Sequence, residues 1–242
     1  MKSIICIPGF WKDRSELVTA IAINSSRQYL LAGSILLNIP TGKHFEVEIC
    51  DRDIRMTDSF KVAGLVNQVS DSFLKDIDSH TTVVYLISEG GDLESAAALA
   101  MAGNLLLKAG GIGLKVETAG KAFMKEQWAN LLAGEFDDLN LYKMFVLDSI
   151  IAEDGTVFSC GMHNLGLKDT IISEETTAEA IAVISTFSYY QLIDKPMISS
   201  NQTFGRQAGD SVYQIIEEPN PPYASRELFT NPYGMWRLRQ LR

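Results

Sequence analysis

The order of extended and helical segments predicts an α+β chain with mixed, largely antiparallel sheets and helices packed on one face. The first elements follow a ferredoxin-like strand–helix–strand–strand–helix–strand order, which the later half repeats with an extra short helix. Three observations carry that class. Short β-branched runs such as Ser3–Ile7 and Thr82–Ile87 alternate with helically spaced apolar residues such as Leu17, Val18 and Ile21. The segment His44–Arg52 switches strictly between apolar and polar residues, as a half-buried strand does. The 242 residues are 46% hydrophobic, enough to bury a sizeable core and too apolar for the bulk of the chain to be disordered.

Ser3–Ile7 reads as a first strand ending at a Pro8-Gly9 turn, and Asp13 to Asn24 as a helix capped by Asp13 or Ser15. Tyr29–Ile39 is extended and stops at Pro40-Thr41-Gly42, so His44–Arg52 pairs with it as a hairpin. Ser70 caps a helix to Asp78 that turns Phe73, Leu74 and Ile77 inward. Thr82–Ile87 has the continuous apolar character of a strand buried on both faces. Asp92 then caps the clearest helix, Leu93 to Ala109, whose many alanines let it lie close on a sheet and whose end is marked by Gly110. Ile112–Glu117 is a strand and Lys125–Ala133 a short helix. Tyr142–Ile151 and Thr156–Met162 flank an Asp154-Gly155 turn and form a hairpin. Thr176 and Glu179 are spaced as a capping box for the last helix, which runs to Leu192, and Ser211–Ile216 is the closing strand. From Pro219 the chain is rich in Pro, aromatic residues and Arg, and is expected to wrap the surface. The corresponding organisation is an N-terminal lobe, 1–80, a second lobe, 81–218, and a tail, 219–242, with a soft boundary near 80 that is compatible with one continuous body.

Thirty acidic against 21 basic residues give a net charge of −9. That balance excludes a general affinity for nucleic acid or anionic membrane, both of which need a positive surface. The longest charge-free runs fall short of the roughly 20 residues that span a bilayer. Cys6, Cys50 and Cys160 are odd in number and widely spaced, which suits reduced thiols in a cytoplasm better than a secreted disulfide framework. The N-terminal apolar run contains Pro8-Gly9, lacks a small-residue cleavage site and meets Lys12-Asp13-Arg14 at once, which marks a strand and not an export signal.

Few constellations carry chemistry. His44, Glu46 and Glu48 share one strand face, where i, i+2 neighbours are close enough to chelate a metal or do acid–base work. A solvated strand face accounts for the same residues, and no metal or other cofactor is expected. Cys160 and His163 lie three apart, on opposite faces of a strand unless it bulges at Gly161, so a buried structural cysteine is favoured over a nucleophile. Glu89-Gly90-Gly91-Asp92 precedes a helix but lacks the Lys and Ser/Thr of a phosphate loop, and its own acids repel anions. Gly110-Gly111-Ile112-Gly113 is likewise a turn, and His80 is a residue favoured by a helix C-terminus. In the tail, Tyr223, Phe229, Tyr233 and Trp236 lead into Arg237, Arg239 and Arg242. They form either a packing strap, the favoured reading, or an exposed binding arm built of hot-spot residue types, with Phe229, Tyr233 and Trp236 as its contacts.

The stretch His80-Thr81-Thr82-Val83-Val84-Tyr85-Leu86-Ile87, the Ala-rich helix, Gly110-Gly111-Ile112-Gly113-Leu114-Lys115-Val116 and the segment Cys160-Gly161-Met162-His163-Asn164-Leu165-Gly166-Leu167-Lys168-Asp169 resemble the bacterial domain-of-unknown-function family 4261. The resemblance covers roughly 70–203 and is carried mostly by glycines and apolar positions. It implies a bacterial cytoplasmic α+β protein and brings no catalytic residue. The expected function is that of a non-enzymatic, immunity-like or accessory module whose acidic body meets a basic protein partner, an analogy of fold and charge. The alternatives are an enzyme of unrecognised type centred on His44, Glu46 and Glu48, and an oligomeric or ligand-sensing module built on exposed sheet.

Overall fold

In the computed structural model, which describes residues 1–207, 209–221 and 230–241, the chain builds two sheets. The first half supplies β1 (Lys2–Gly9), α1 (Arg14–Asn24), β2 (Tyr29–Ala32), β3 (Ile35–Asn38), β4 (His44–Asp51), α2 (Met56–Ala63) and α3 (Asp71–Asp78). It continues with β5 (Thr82–Glu89), α4 (Leu93–Lys108), β6 (Gly113–Val116) and β7 (Lys121–Met124). Its strands form a seven-stranded sheet in the order β2-β3-β4-β5-β1-β6-β7. Every pairing in it is antiparallel. The central strands β4-β5-β1-β6, with α1 and α4 on one face, reproduce the expected ferredoxin-like unit, into which the β2–β3 hairpin and the α2–α3 pair are inserted.

Alternation along the strands decides which side each helix covers. Ile5, Ile7, Val84, Leu86, Phe45 and Val47 point to α1 and α4 and form the main core with Leu17, Ile21, Leu99 and Leu106. Cys6, Val83 and Ala122 point the other way, where α2 and α3 bring Met56, Phe60, Phe73 and Ile77. The large helices therefore lie on one face as expected, and the two short ones add a partial layer on the other. Helix α4 approaches closely because Gly103 faces the sheet: a Cβ there would come within 2.8 Å of the Ile5 side chain. The helix starts follow the predicted caps, with Asp13, Ser70 and Asp92 accepting from the N–H groups of Glu16, Phe73 and Ser95.

The second half contains α5 (Lys125–Leu131), α6 (Asp138–Phe145), β8 (Leu147–Ile151), β9 (Val157–Cys160), β10 (Asp169–Ile172), α7 (Thr177–Ile193), β11 (Thr203–Phe204), β12 (Val212–Glu218) and β13 (Met235–Leu241). Its six-stranded sheet runs β11-β12-β13-β10-β9-β8, with β10 and β13 parallel and the other neighbours antiparallel. Helix α7 packs Val183, Ile184 and Phe187 on this sheet, while Leu192 belongs to the core of the first and Tyr189 meets Tyr142 edge-on at 4.6 Å. Covered on two sides, α7 carries no charge between Ala180 and Ile193.

Several expectations are corrected. Residues 235–241 are not part of a wrapping tail: β13 lies between β12 and β10 in the middle of the second sheet. A boundary near 80 would cut the first sheet, because β5 pairs with both β1 and β4. The second lobe does not repeat the first, since a single helix crosses its sheet. Pro8-Gly9 is not a turn; β1 continues through it, and the Pro8 carbonyl accepts from Ile112 beyond the start of β6. The missing N–H of Pro8 faces that same side, where the regular β1–β6 ladder has ended, so it costs no ladder bond. Tyr142 to Phe145 are helical because Asp137 caps α6 from its side chain, so the strand begins only at Leu147. Helix α2, strands β7 and β10 and the Gly33-Ser34 turn between β2 and β3 were not anticipated.

Candidate binding face

Because α2 and α3 cover only part of their side of the first sheet, the rest of that side lies open. Directly opposed residues of antiparallel strands share a face, so the register defines what is displayed. One row runs Ile35–Glu46–Ile87–Ile4 and reaches Glu117, whose N–H donates to the Ile4 carbonyl. The next row, Glu48–Tyr85–Cys6–Lys115, marks the rim of the helical cover: Cys6 meets Met56 at 3.8 Å and the Lys115 ammonium donates to Ser59. On the far side Leu30 pairs with Leu37, and Leu37 with His44. Leu30 and Ile35 are 49% and 38% exposed; Ile4 is half-buried and Ile87 buried, although neither belongs to a hydrophobic core cluster among the described residues.

The charges on this face are arranged around that apolar strip. Lys2 bridges to Glu46 at 3.0 Å, and this hydrogen bond and charge raise the pKa of its ammonium. The terminal amine of Met1 lies 3.3 Å from Glu89, and Lys115 pairs with Glu117 at 2.9 Å. Glu48 is exposed and has no ion-pair partner among the described residues. Tyr85 beside it is half-buried, and burial first, then the neighbouring Cys6, pushes its phenol well above the usual range. An open groove of about 560 Å³ borders the face and is lined by Lys2, His44, Glu46 and Glu89, with Lys43 and Ser95 on its wall.

Of the sequence candidates, His44 and Glu46 thus share a groove, and Glu48 stands farther along the same face. Among the described residues no group of three His, Cys, Asp or Glu side chains could hold a metal ion. The partners that sequence reasoning missed are Lys2 and Glu89, which strands far apart in the chain bring beside Glu46. Trp236 is 7% exposed and packs in the core of the second sheet, whereas Tyr233 is 41% exposed; both line one small groove. Phe229 and Tyr223 lie outside the described residues.

The segment Cys160–Asp169 is a buried splice between the two sheets. Gly161 (φ 111°) and Gly166 (φ 81°) take left-handed conformations at either end of a 3₁₀ turn, Met162–Leu165. At its centre Asn164 accepts from the hydroxyls of Ser3 (2.7 Å) and Thr118 (2.9 Å) and donates to the carbonyls of Gly161 (2.9 Å) and Phe145 (3.3 Å). The buried Asp169 carboxylate accepts from the Ser159 hydroxyl, the Met162 N–H and the Asn231 amide. Cys160 points its Sγ to the Thr118 carbonyl, and burial pushes its thiol well up. Burial also lowers His163 to about 4, and its Nδ1 has no partner among the described residues. High-pKa thiol and low-pKa imidazole are the reverse of an activated pair.

The glycine turns are structural as well. Asp92 occupies the start of α4, and the Gly91 N–H donates to the Asn164 carbonyl. His80 donates from Nδ1 to the Ile77 carbonyl at the end of α3 and accepts the Asp53 N–H at Nε2. No described helix is long and apolar enough to cross a membrane. No protein-family model, no curated protein and no solved structure matches the chain.

Proposed function

We propose that this chain is a non-enzymatic partner-binding module of the bacterial cytoplasm, immunity-like or accessory, related to domain-of-unknown-function family 4261, and that its open sheet face docks a basic protein. The observation that supports the reading is the face itself: exposed aliphatic side chains at Leu30 and Ile35 rimmed by Glu46, Glu48 and Glu89. An uncovered apolar strip favours burial against a partner, and the carboxylates beside it, of which Glu48 has no ion-pair partner among the described residues, select and steer a positive surface. In the Cys160–Asp169 motif Asn164 joins the two sheets and Asp169 is held by three donors, which fits a scaffold role for residues that carry the family resemblance.

The test is a titration against the product of the neighbouring gene, followed by calorimetry at two salt concentrations. The expected result is a complex that weakens with salt and loses about tenfold or more in affinity in the Glu46→Lys, Glu48→Lys variant. Binding that ignores both changes, or no binding at all, would refute this use of the face. A turnover activity abolished by His44→Ala would instead select the enzyme reading.

A further inference from the structure

We propose that the groove between the end of α7 and β13 binds a small organic anion carrying a flat ring, an aromatic carboxylate. The groove encloses about 360 Å³, the size of a small-ligand site, and its walls include Lys168, Gln191, Lys195, Ile198, Tyr233 and Trp236. No carboxylate among the described residues lines it, although the chain as a whole carries a charge of −9. Two lysines therefore line one concavity on an acidic protein. The Lys168 Nζ is held 4.1 Å from the centre of the Trp236 ring, with Glu217 binding it from outside the groove. Lys195 is 65% exposed and only loosely held by Asp138 at 3.9 Å, so it can turn to an incoming anion.

The remaining walls suit a ring. Tyr233 presents an exposed aromatic face, Ile198 supplies an apolar edge, and the Gln191 amide is already fixed by donating to the Lys168 carbonyl. A carboxylate seated between the two lysines would set its attached ring against Tyr233, satisfying charge and apolar contact together. A ring without the charge, or with the opposite charge, would gain only half of these contacts.

The experiment titrates the full chain with benzoate while tryptophan emission is recorded, with equilibrium dialysis in parallel. Trp236 lines the groove and Trp11 and Trp128 do not, so the emission change reports Trp236. The expected outcome is saturable benzoate binding, a response lost in Trp236→Phe, an affinity reduced about fivefold by Lys195→Gln, and retention in Lys195→Arg. Benzylamine, with the same ring and the opposite charge, should not bind. Equal binding of the two compounds, dialysis showing no saturable benzoate binding in the millimolar range, or full affinity in Lys195→Gln would each overturn the proposal.

Discussion

Replacing Asn164 with alanine removes the side chain that ties the two sheets together, and its cost can be worked out bond by bond. Four hydrogen bonds are lost, reaching Ser3 on β1, Thr118 after β6, Phe145 at the end of α6 and Gly161 after β9. Each contributes about 1 kcal/mol net, and orphaning a buried carbonyl costs about 1–3 kcal/mol. The two hydroxyls can turn to other acceptors and the Gly161 carbonyl keeps the backbone N–H of residue 164, so the lost bonds and the orphaned Phe145 carbonyl set the total at about 3 kcal/mol. For a chain of this size that lowers the melting temperature by roughly 10 °C. Urea unfolding followed by tryptophan fluorescence and far-UV circular dichroism measures it. Ser3→Ala alone should cost about 1 kcal/mol, and the double variant should be less damaging than the sum of the singles. An Asn164→Ala loss under about 1 kcal/mol with an unchanged denaturant slope, or strict additivity with Ser3→Ala, would show that the asparagine does not hold the sheets as described.

Two further outcomes follow from the same segment. Because burial holds His163 neutral down to about 4, the unfolded chain takes up its proton first, near pH 6.5. Stability contributed by the neutral ring is intact above that pH and falls as the pH drops toward 4, by about 3 kcal/mol in all. Urea midpoints at pH 7 and 5 should therefore converge in His163→Phe relative to the parent; parallel pH profiles would contradict this. Gly161→Ala should be far more damaging than Gly155→Ala, although both positions have positive φ. At Gly155 nothing lies near an added Cβ, so only the left-handed penalty of about 1–2 kcal/mol applies, whereas at Gly161 the Cβ would overlap the Phe145 carbonyl oxygen. Equal losses in thermal melts of the two variants would rule out that steric account.

What was legible in the sequence was local. The caps Asp13, Ser70, Asp92 and Thr176 act within three residues of themselves, so their helices could be read directly. The alternation of β4 correctly placed Phe45 and Val47 inside and His44, Glu46 and Glu48 outside. Non-local placement was not legible. Nothing in Lys2 or Glu89 announces that β1 and β5 set them beside Glu46, and α2 is a short helix without a side-chain cap. The misread tail did carry a signal: Trp236 and Leu238 are buried while Arg237 and Arg239 reach outward, a period of two hidden by the Pro-rich stretch before it. The open face itself depends on how far α2 and α3 extend over the sheet, which no single segment encodes.

The position of β13 has a consequence for how the molecule is made. The first sheet is complete once residue 124 has been synthesised, and its strands can close around α4 while the rest of the chain is still being added. The second sheet has no such freedom. Until residues 235–241 arrive, it exists as a β8–β9–β10 ladder and a separate β11–β12 pair, each presenting an unpaired edge to solvent. Strand β13 joins them by parallel pairing to β10 and antiparallel pairing to β12, so both pieces of the second sheet wait for residues 235–241. In the interval α7 is held by the core of the first sheet through Leu192 and by α6 through the Tyr142–Tyr189 contact, so the helix that covers the second sheet is in place before its last described strand.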